Sequence, residues 1–175
     1  MKVQLTITTH KGVFMKSLTI TLALLICNFS FADIGALADV KLSPAGSFVG
    51  KTKDVKGFAT QKGDSFEASN IVVNLKSLKT GIALRDKHAT EKYLEVAKYP
   101  DAVLTSASGK GGNGTGKLKI RGIEKDVTGT YKVAGKELTA NFTIKLSDYG
   151  INGIKYMGVG VNDPVTITVT VPIKN

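Results

Sequence analysis

The chain has 175 residues, 42% hydrophobic and 22% charged, with a formal net charge of +10, one cysteine and no tryptophan. That length suits one domain burying roughly two-thirds of its unfolded surface, and a lone cysteine excludes an internal disulfide framework. The lysines are scattered rather than gathered in a basic run interleaved with stacking aromatics, which argues against nucleic-acid binding and leaves a solubilising surface or generic attraction to anionic membrane surfaces.

Residues 1–32 read as a secretory signal, with Met15 as an alternative start. Met15-Lys16 opens the charged region, Leu18–Phe29 supplies the apolar stretch, and Ser30-Phe31-Ala32 offers small residues for cleavage before Asp33. The apolar run is too short for a comfortable membrane span. Leu24-Leu25-Ile26-Cys27 resembles a lipoprotein box, but Ile26 is bulky where a small residue is needed, so Cys27 reads as part of the apolar stretch. The expectation is a periplasmic protein with one domain over 33–175, no cysteine after cleavage, and 21 basic against 14 acidic side chains.

Beyond Asp33 the dominant period is two, the signature of half-buried strands. In Lys53–Leu75 the apolar positions change parity, Phe66 and Ala68 on one, Ile71, Val73 and Leu75 on the other. A bulge near Asn70 reconciles them. The segment Ser77–Pro100 interrupts the alternation. Ala89, Tyr93 and Val96/Ala97 recur at helical spacing, Asp86 suits a first turn, and Pro100 blocks continuation. A short helical excursion is therefore expected around residues 83–98.

Gly111–Gly116 followed by Lys117 nearly spells a phosphate loop, but Leu118 stands where Ser or Thr would hold magnesium. An alternating strand follows where the phosphate cradle needs a helix, so this stretch reads as a flexible hairpin loop. Leu118 and Ile120, then Val127, Tyr131 and Val133, then Leu138–Leu146, then Val165–Val171 all alternate, the last with threonines on the other face. Glycine-bearing turns lie between the strands. The fold class read from this pattern is all-β: an antiparallel, up-and-down, lipocalin-like β-barrel of about eight strands with one short helical excursion. The lack of tryptophan sets it apart from typical lipocalins.

The polar chemistry gathers at Arg85, Asp86 and His88, the one histidine left after cleavage. In one reading they sit at a pocket mouth, Arg85 meeting a ligand head group and His88 hydrogen-bonding it. In the other, Asp86 caps the helix and pairs with Arg85 or a nearby lysine, fixing the helix over the barrel. Catalysis lacks a nucleophile and its base, and metal binding lacks a ligand set, so no catalytic or metal residue is assigned. Tyr149, Tyr156 and Met157, near Gly150–Gly160, suit the rim of an apolar pocket or an ordinary plug.

Three blocks carry a resemblance: Ser77–Pro100 (SLKTGIALRDKHATEKYLEVAKYP), Gly116–Val127 (GKLKIRGIEKDV) and Asp148–Val171. In their order and spacing they resemble the YceI-like family of periplasmic polyisoprenoid-binding proteins. The opening Ala38–Gly57 departs from it, being brief where the family has a longer strand pair. The resemblance implies an extended β-barrel enclosing a long isoprenoid, or isoprenoid quinone, in an apolar tunnel, with no other cofactor and no catalysis. On that reading the inner-face residues Leu118, Ile120, Tyr131, Phe142, Ile144, Ile167 and Val169 are the lining candidates, and they equally suit a filled core. The rivals are a filled barrel working as an envelope interaction protein through its outer lysines, and an enzyme built on Arg85, Asp86 and His88. Oligomeric state is open.

Overall fold

The computed structural model describes residues 34–156 and 158–174, so the signal-peptide reading of residues 1–32, with Met15 and Cys27, lies outside the described residues. Eleven strands form one sheet: β1 (Gly35–Ser43), β2 (Ser47–Thr52), β3 (Val55–Lys56), β4 (Ala59–Lys62), β5 (Ser65–Asn74), β6 (Asp101–Lys110), β7 (Asn113–Ile120), β8 (Ile123–Ala134), β9 (Glu137–Lys145), β10 (Lys155–Tyr156) and β11 (Val159–Lys174). From β4 to β9, adjacent strands pair antiparallel in chain order. The ring closes because β9 pairs with β11, and the end of β11 meets β4 through Ile173↔Ala59 and Lys174↔Thr60. That last contact is parallel, within a barrel otherwise antiparallel. The β1–β2 hairpin pairs with the other edge of β11 over Gly35–Ser43, so this opening pair is fully formed. Closure leaves few free edges.

The parity change in β5 has a visible cause. Asn70 takes a left-handed conformation, φ 53°, which asparagine tolerates better than most residues. Phe66 and Ala68 therefore face inward before it, and Ile71 and Val73 after it. Ser69↔Ser106 and Ile71↔Leu104 keep one register across the kink, whereas the pairing of β6 with β7 shifts between Leu104 and Ser106. The irregularity thus passes from β5 into β6 and is absorbed against β7. Gly57 packs on the kink at φ 113°, where an added Cβ would lie 2.7 Å from Ile71 Cδ1. A side chain there would collide with the kink as well as strain the backbone.

The glycine-rich run is strand rather than loop. Only Gly111 and Gly112 make the turn, and β7 already starts at Asn113. Gly109, Gly114 and Gly116 sit on β6 and β7 where side chains of the barrel interior crowd them. At Gly109 a Cβ would lie 2.6 Å from the Tyr131 ring, so glycine lets that ring rest against β6. The threonines of β11 form a cross-strand ladder with β9: Thr170 to Thr139 at 3.0 Å, Thr168 to Asn141 at 3.2 Å, and Thr166 to Thr143 at 3.4 Å.

The excursion leaves β5 through a short 3-10 turn, Leu75–Ser77, and contains α1 (Ala83–Lys87), which passes into a π-helical turn at His88–Tyr93. Thr90 Oγ1 donates to the Asp86 carbonyl at 2.8 Å, occupying an acceptor that the α-helical ladder would use. Leu94 N–H then reaches back five residues to Ala89 O. The wider turn brings Tyr93, Leu94 and Val96 onto the core, while Ala97, expected on that face, is exposed. Leu75 N–H bonds the Pro100 carbonyl at 2.8 Å, closing the base of the excursion as the chain enters β6.

Candidate functional site

The barrel interior is not filled. A cavity of about 730 Å³ runs through it, lined almost wholly by apolar side chains from every ring strand and from the excursion. Leu118, Ile120, Tyr131, Phe142, Ile144, Ile167 and Val169 all stand on its wall. They divide between two clusters. Leu118, Ile120 and Ile144 are buried toward the excursion end, with Phe142 and Ile167 against them, while Tyr131 and Val169 pack in the opposite half on Ile71, Leu138 and Val171. Leu104 packs against both clusters and marks the waist. It directly precedes the β6 bulge, so the same kink that switches parity points it to the middle of the barrel. Beyond the waist the wall uses small residues, among them Ala59, Ala68, Ala107, Gly116 and Ala140, which keep the bore open. Phe66 and Tyr131 meet edge to face there, ring centroids 5.5 Å apart at 68°.

At the other end the excursion lies over the opening. Arg85 and His88 line the cavity there; Asp86 does not. Asp86 does not cap the helix. Ile82 occupies the cap position without a side-chain bond, and Asp86 Oδ1 instead accepts from the Thr80 amide at 2.7 Å and the Thr80 hydroxyl at 2.6 Å. Those two bonds hold its carboxyl below the usual aspartate range, though its side chain is only 14% exposed and burial opposes the shift. Arg85 closes the same knot, donating from Nε to Thr80 Oγ1 at 2.9 Å and from Nη2 to Thr80 O at 2.6 Å. Its guanidinium also lies 4.0 Å over the Phe48 ring, tying the excursion to β2. Lys79 exchanges both backbone bonds with Lys51 of β2, at 2.7 and 2.8 Å, and its ammonium stands 4.0 Å from Asp86. Thr80 is thus the hub of a lock between the excursion and β2. Met157 and the side chain of Tyr156 lie outside the described residues.

A second clasp was invisible in the sequence pattern. Arg121 sits in the β7–β8 turn with φ 50°, followed by Gly122 at φ 79°, the left-handed pair that a tight hairpin requires. Its Nη1 donates to the Gly150 carbonyl at 2.7 Å and its Nη2 pairs with Glu95. One side chain therefore joins a hairpin, the end of the excursion and the 3-10 turn Leu146–Tyr149. Asp163 of β11 holds the same turn, accepting from the Ser147 amide and hydroxyl, both at 2.7 Å. Beneath it Tyr149 is 1% exposed and stands in the core, off the cavity wall, so it is not the rim residue that the sequence suggested. Burial, with Asp148 adding to it, pushes the Tyr149 phenol up to about 12.

Chemically, the site can bury an apolar chain and offer a few fixed polar groups at one end. Arg85 and Asp86 spend their hydrogen bonds on Thr80, which leaves them as positioning groups for the excursion. Among the described residues no group of three or more His, Cys, Asp or Glu side chains is placed to hold a metal ion.

Residues 35–173 match the YceI-like domain. The chain belongs to the YceI-like family. A UPF0312 protein of Pseudomonas putida is 38% identical over 138 residues, covering 67% of this chain and 72% of its own length. Among solved structures, Burkholderia cenocepacia BcnA superposes with a TM-score of 0.60 at 18% identity, over 78% of this chain and 93% of that one. A polyisoprenoid-binding domain from Saccharophagus degradans gives 0.53 at 13% identity, over 78% and 91%. At such identities these likenesses speak to the fold alone. They agree with the YceI-like barrel described above.

Proposed function

We propose that this YceI-like protein is a non-catalytic carrier of a long-chain isoprenoid, or a similar amphiphilic lipid, working in the periplasm. The observation that carries the reading is the cavity: about 730 Å³, apolar nearly throughout, and continuous across both halves of the barrel. Its volume falls within the range of roughly 300–1,000 Å³ usual for small-molecule sites. A filled barrel with these inner faces would instead pack large side chains across the axis; here small residues line the far half. The solved polyisoprenoid-binding domain of like fold supports the same ligand class. The leader-like residues 1–32 support the periplasmic setting.

Binding works by burial. Each methylene taken from water contributes about 0.8 kcal/mol, so a long chain needs few polar contacts. Leu118, Ile120, Phe142, Ile144 and Ile167 hold the segment nearest the excursion, and Tyr131 with Val169 holds the segment beyond Leu104. Arg85 and His88 stand where the polar end of an amphiphile would rest. The test is solvent extraction of the protein purified from its own compartment, with mass spectrometry of the extract beside native mass spectrometry of the protein. A stoichiometric isoprenoid species is expected. A protein that is empty as isolated and also refuses added isoprenoids would overturn the reading.

A further inference from the structure

The excursion covers the barrel, yet two of its largest apolar side chains face outward. Ile82 is 54% and Leu84 50% exposed, although both also border the cavity. Two exposed aliphatic side chains, one at the cap and one in the first turn of α1, cost solvation and add little to the core. Val159, at the start of β11, borders the cavity and is exposed as well. The apolar surface outside is therefore continuous with the apolar wall inside.

The exposed charges of the excursion are mostly positive. Lys79, Lys87 and Lys92 are exposed on the excursion, and Lys155 is exposed on β10 while bordering the cavity. The acids of the excursion are mostly spent inward: Asp86 on Thr80, Glu95 on Arg121. Glu91 is the exposed exception. An aliphatic pair set among lysines fits an interface that is apolar at its centre and anionic at its rim, which is the make-up of a bilayer surface carrying anionic lipids.

We infer that the Ile82–Leu84 face of the excursion docks the mouth of the barrel onto an anionic bilayer, with Lys79, Lys87 and Lys92 on the head groups. The inference rests on the carrier reading for its purpose: a lipid passing between bilayer and cavity along this face never crosses water. Its physical claim concerns the empty protein alone. Binding is modest and reversible, because two aliphatic side chains insert shallowly and the lysines act only within a Debye length.

The experiment is flotation of the ligand-free protein with vesicles of phosphatidylcholine, with and without phosphatidylglycerol, at low and high salt. Binding is expected to the anionic vesicles at low salt and to fall sharply in high salt. The double variant Ile82→Ser/Leu84→Ser should bind several-fold more weakly. Lys87→Gln and Lys92→Gln, neither of which borders the cavity, should each weaken binding by roughly fivefold while leaving uptake of detergent-dispersed isoprenoid unchanged. Circular dichroism melts verify that each variant is folded. Failure of the wild-type protein to float with anionic vesicles overturns the inference, as does flotation unaffected by Ile82→Ser/Leu84→Ser. Self-association that the serine variants abolish, without vesicle binding, overturns it in favour of contact between two copies. None of these outcomes depends on whether an isoprenoid is ever found in the cavity.

Discussion

Replacing Arg121 with alanine removes the only side chain that ties the β7–β8 turn to both Glu95 and Gly150 among the described hydrogen bonds. Two bonds made by a charged donor are lost, and hydrogen bonds to charged groups contribute about 1.5–3 kcal/mol each. Glu95 is 39% exposed and recovers part of that loss by hydration, whereas Arg121 is 18% exposed and its stem leaves a packing gap. The net cost expected is about 2–4 kcal/mol, or a fall of roughly 6–15 °C in melting temperature for a domain of this size. Left-handed backbone at residue 121 costs alanine about what it costs arginine, so that strain cancels between them. Arg121→Gly removes the strain as well as the clasp and should be roughly 1 kcal/mol less damaging than alanine. Denaturant melts of Arg121→Ala, Glu95→Ala and the double variant close a cycle whose coupling energy should reach about 1–2 kcal/mol. A coupling near zero, with Arg121→Ala melting within a degree or two of wild type, would refute the argument and reduce the clasp to an incidental surface contact.

Acid should loosen the excursion through Asp86. Its carboxyl is held below the ordinary value of 3.8 in the folded protein, so the stability it supplies is present above pH 4 and lost as pH falls through the depressed value. Asp86→Asn should lower the melting temperature at pH 7 and flatten that acid limb. Tyr149 predicts the opposite limb: with its phenol pushed up to about 12 against an ordinary 10.0, stability is intact below pH 10 and declines by on the order of 2–3 kcal/mol as pH rises toward 12. Tyr149→Phe should abolish that decline, and at pH 7 it should be neutral or stabilising, because the buried hydroxyl has no hydrogen-bond partner among the described residues. Ala140→Phe places a ring in the far half beside Tyr131. It should cost about 1–3 kcal/mol and shift bound lipids toward shorter chains, which extraction and mass spectrometry would register.

Alternation made the barrel legible because it reports which face of each strand is dry, and that is a local property. The same logic located the kink at Asn70, since a change of parity within one strand has few remedies. The wall residues followed from inward parity alone: Leu118 and Ile120 of β7 point to the axis whether the axis is hollow or full. The hollow itself was not legible. It depends on Gly116, Ala107 and Ala140 standing together across three strands, and smallness at scattered positions reads as nothing in particular. The glycine-rich run misled for a related reason. Glycine signals a loop by its backbone freedom, while Gly109 is needed for the room it leaves to Tyr131. Arg121 drew no notice as a clasp because its partners, Glu95 and Gly150, are far from it in sequence. Asp86 drew attention through its place in the helix, yet its partner Thr80 precedes the helix altogether. The Arg121 clasp is tertiary, and no window of a dozen residues contains it; Thr80 and Asp86 are only six positions apart, but the ties of that knot to Phe48 and Lys51 of β2 are tertiary as well.

The closing strand sets a condition on how the molecule can fold. β11 follows every other strand in sequence, yet it pairs with β9 on one edge and with both β1 and β4 on the other. Until it docks, the sheet from β4 to β9 is an open ribbon with a bare edge at each end, and the β1–β2 hairpin has only the short excursion beside it. Contacts as distant in sequence as Gly35 with Thr170 must then form nearly together, and such non-local closure makes folding slow relative to chains rich in local contacts. The nascent polypeptide therefore stays unclosed until β11 has been made. Its two bare edges are the positions where aggregation competes with folding, and a late-arriving, threonine-laddered β11 is the element that ends that competition.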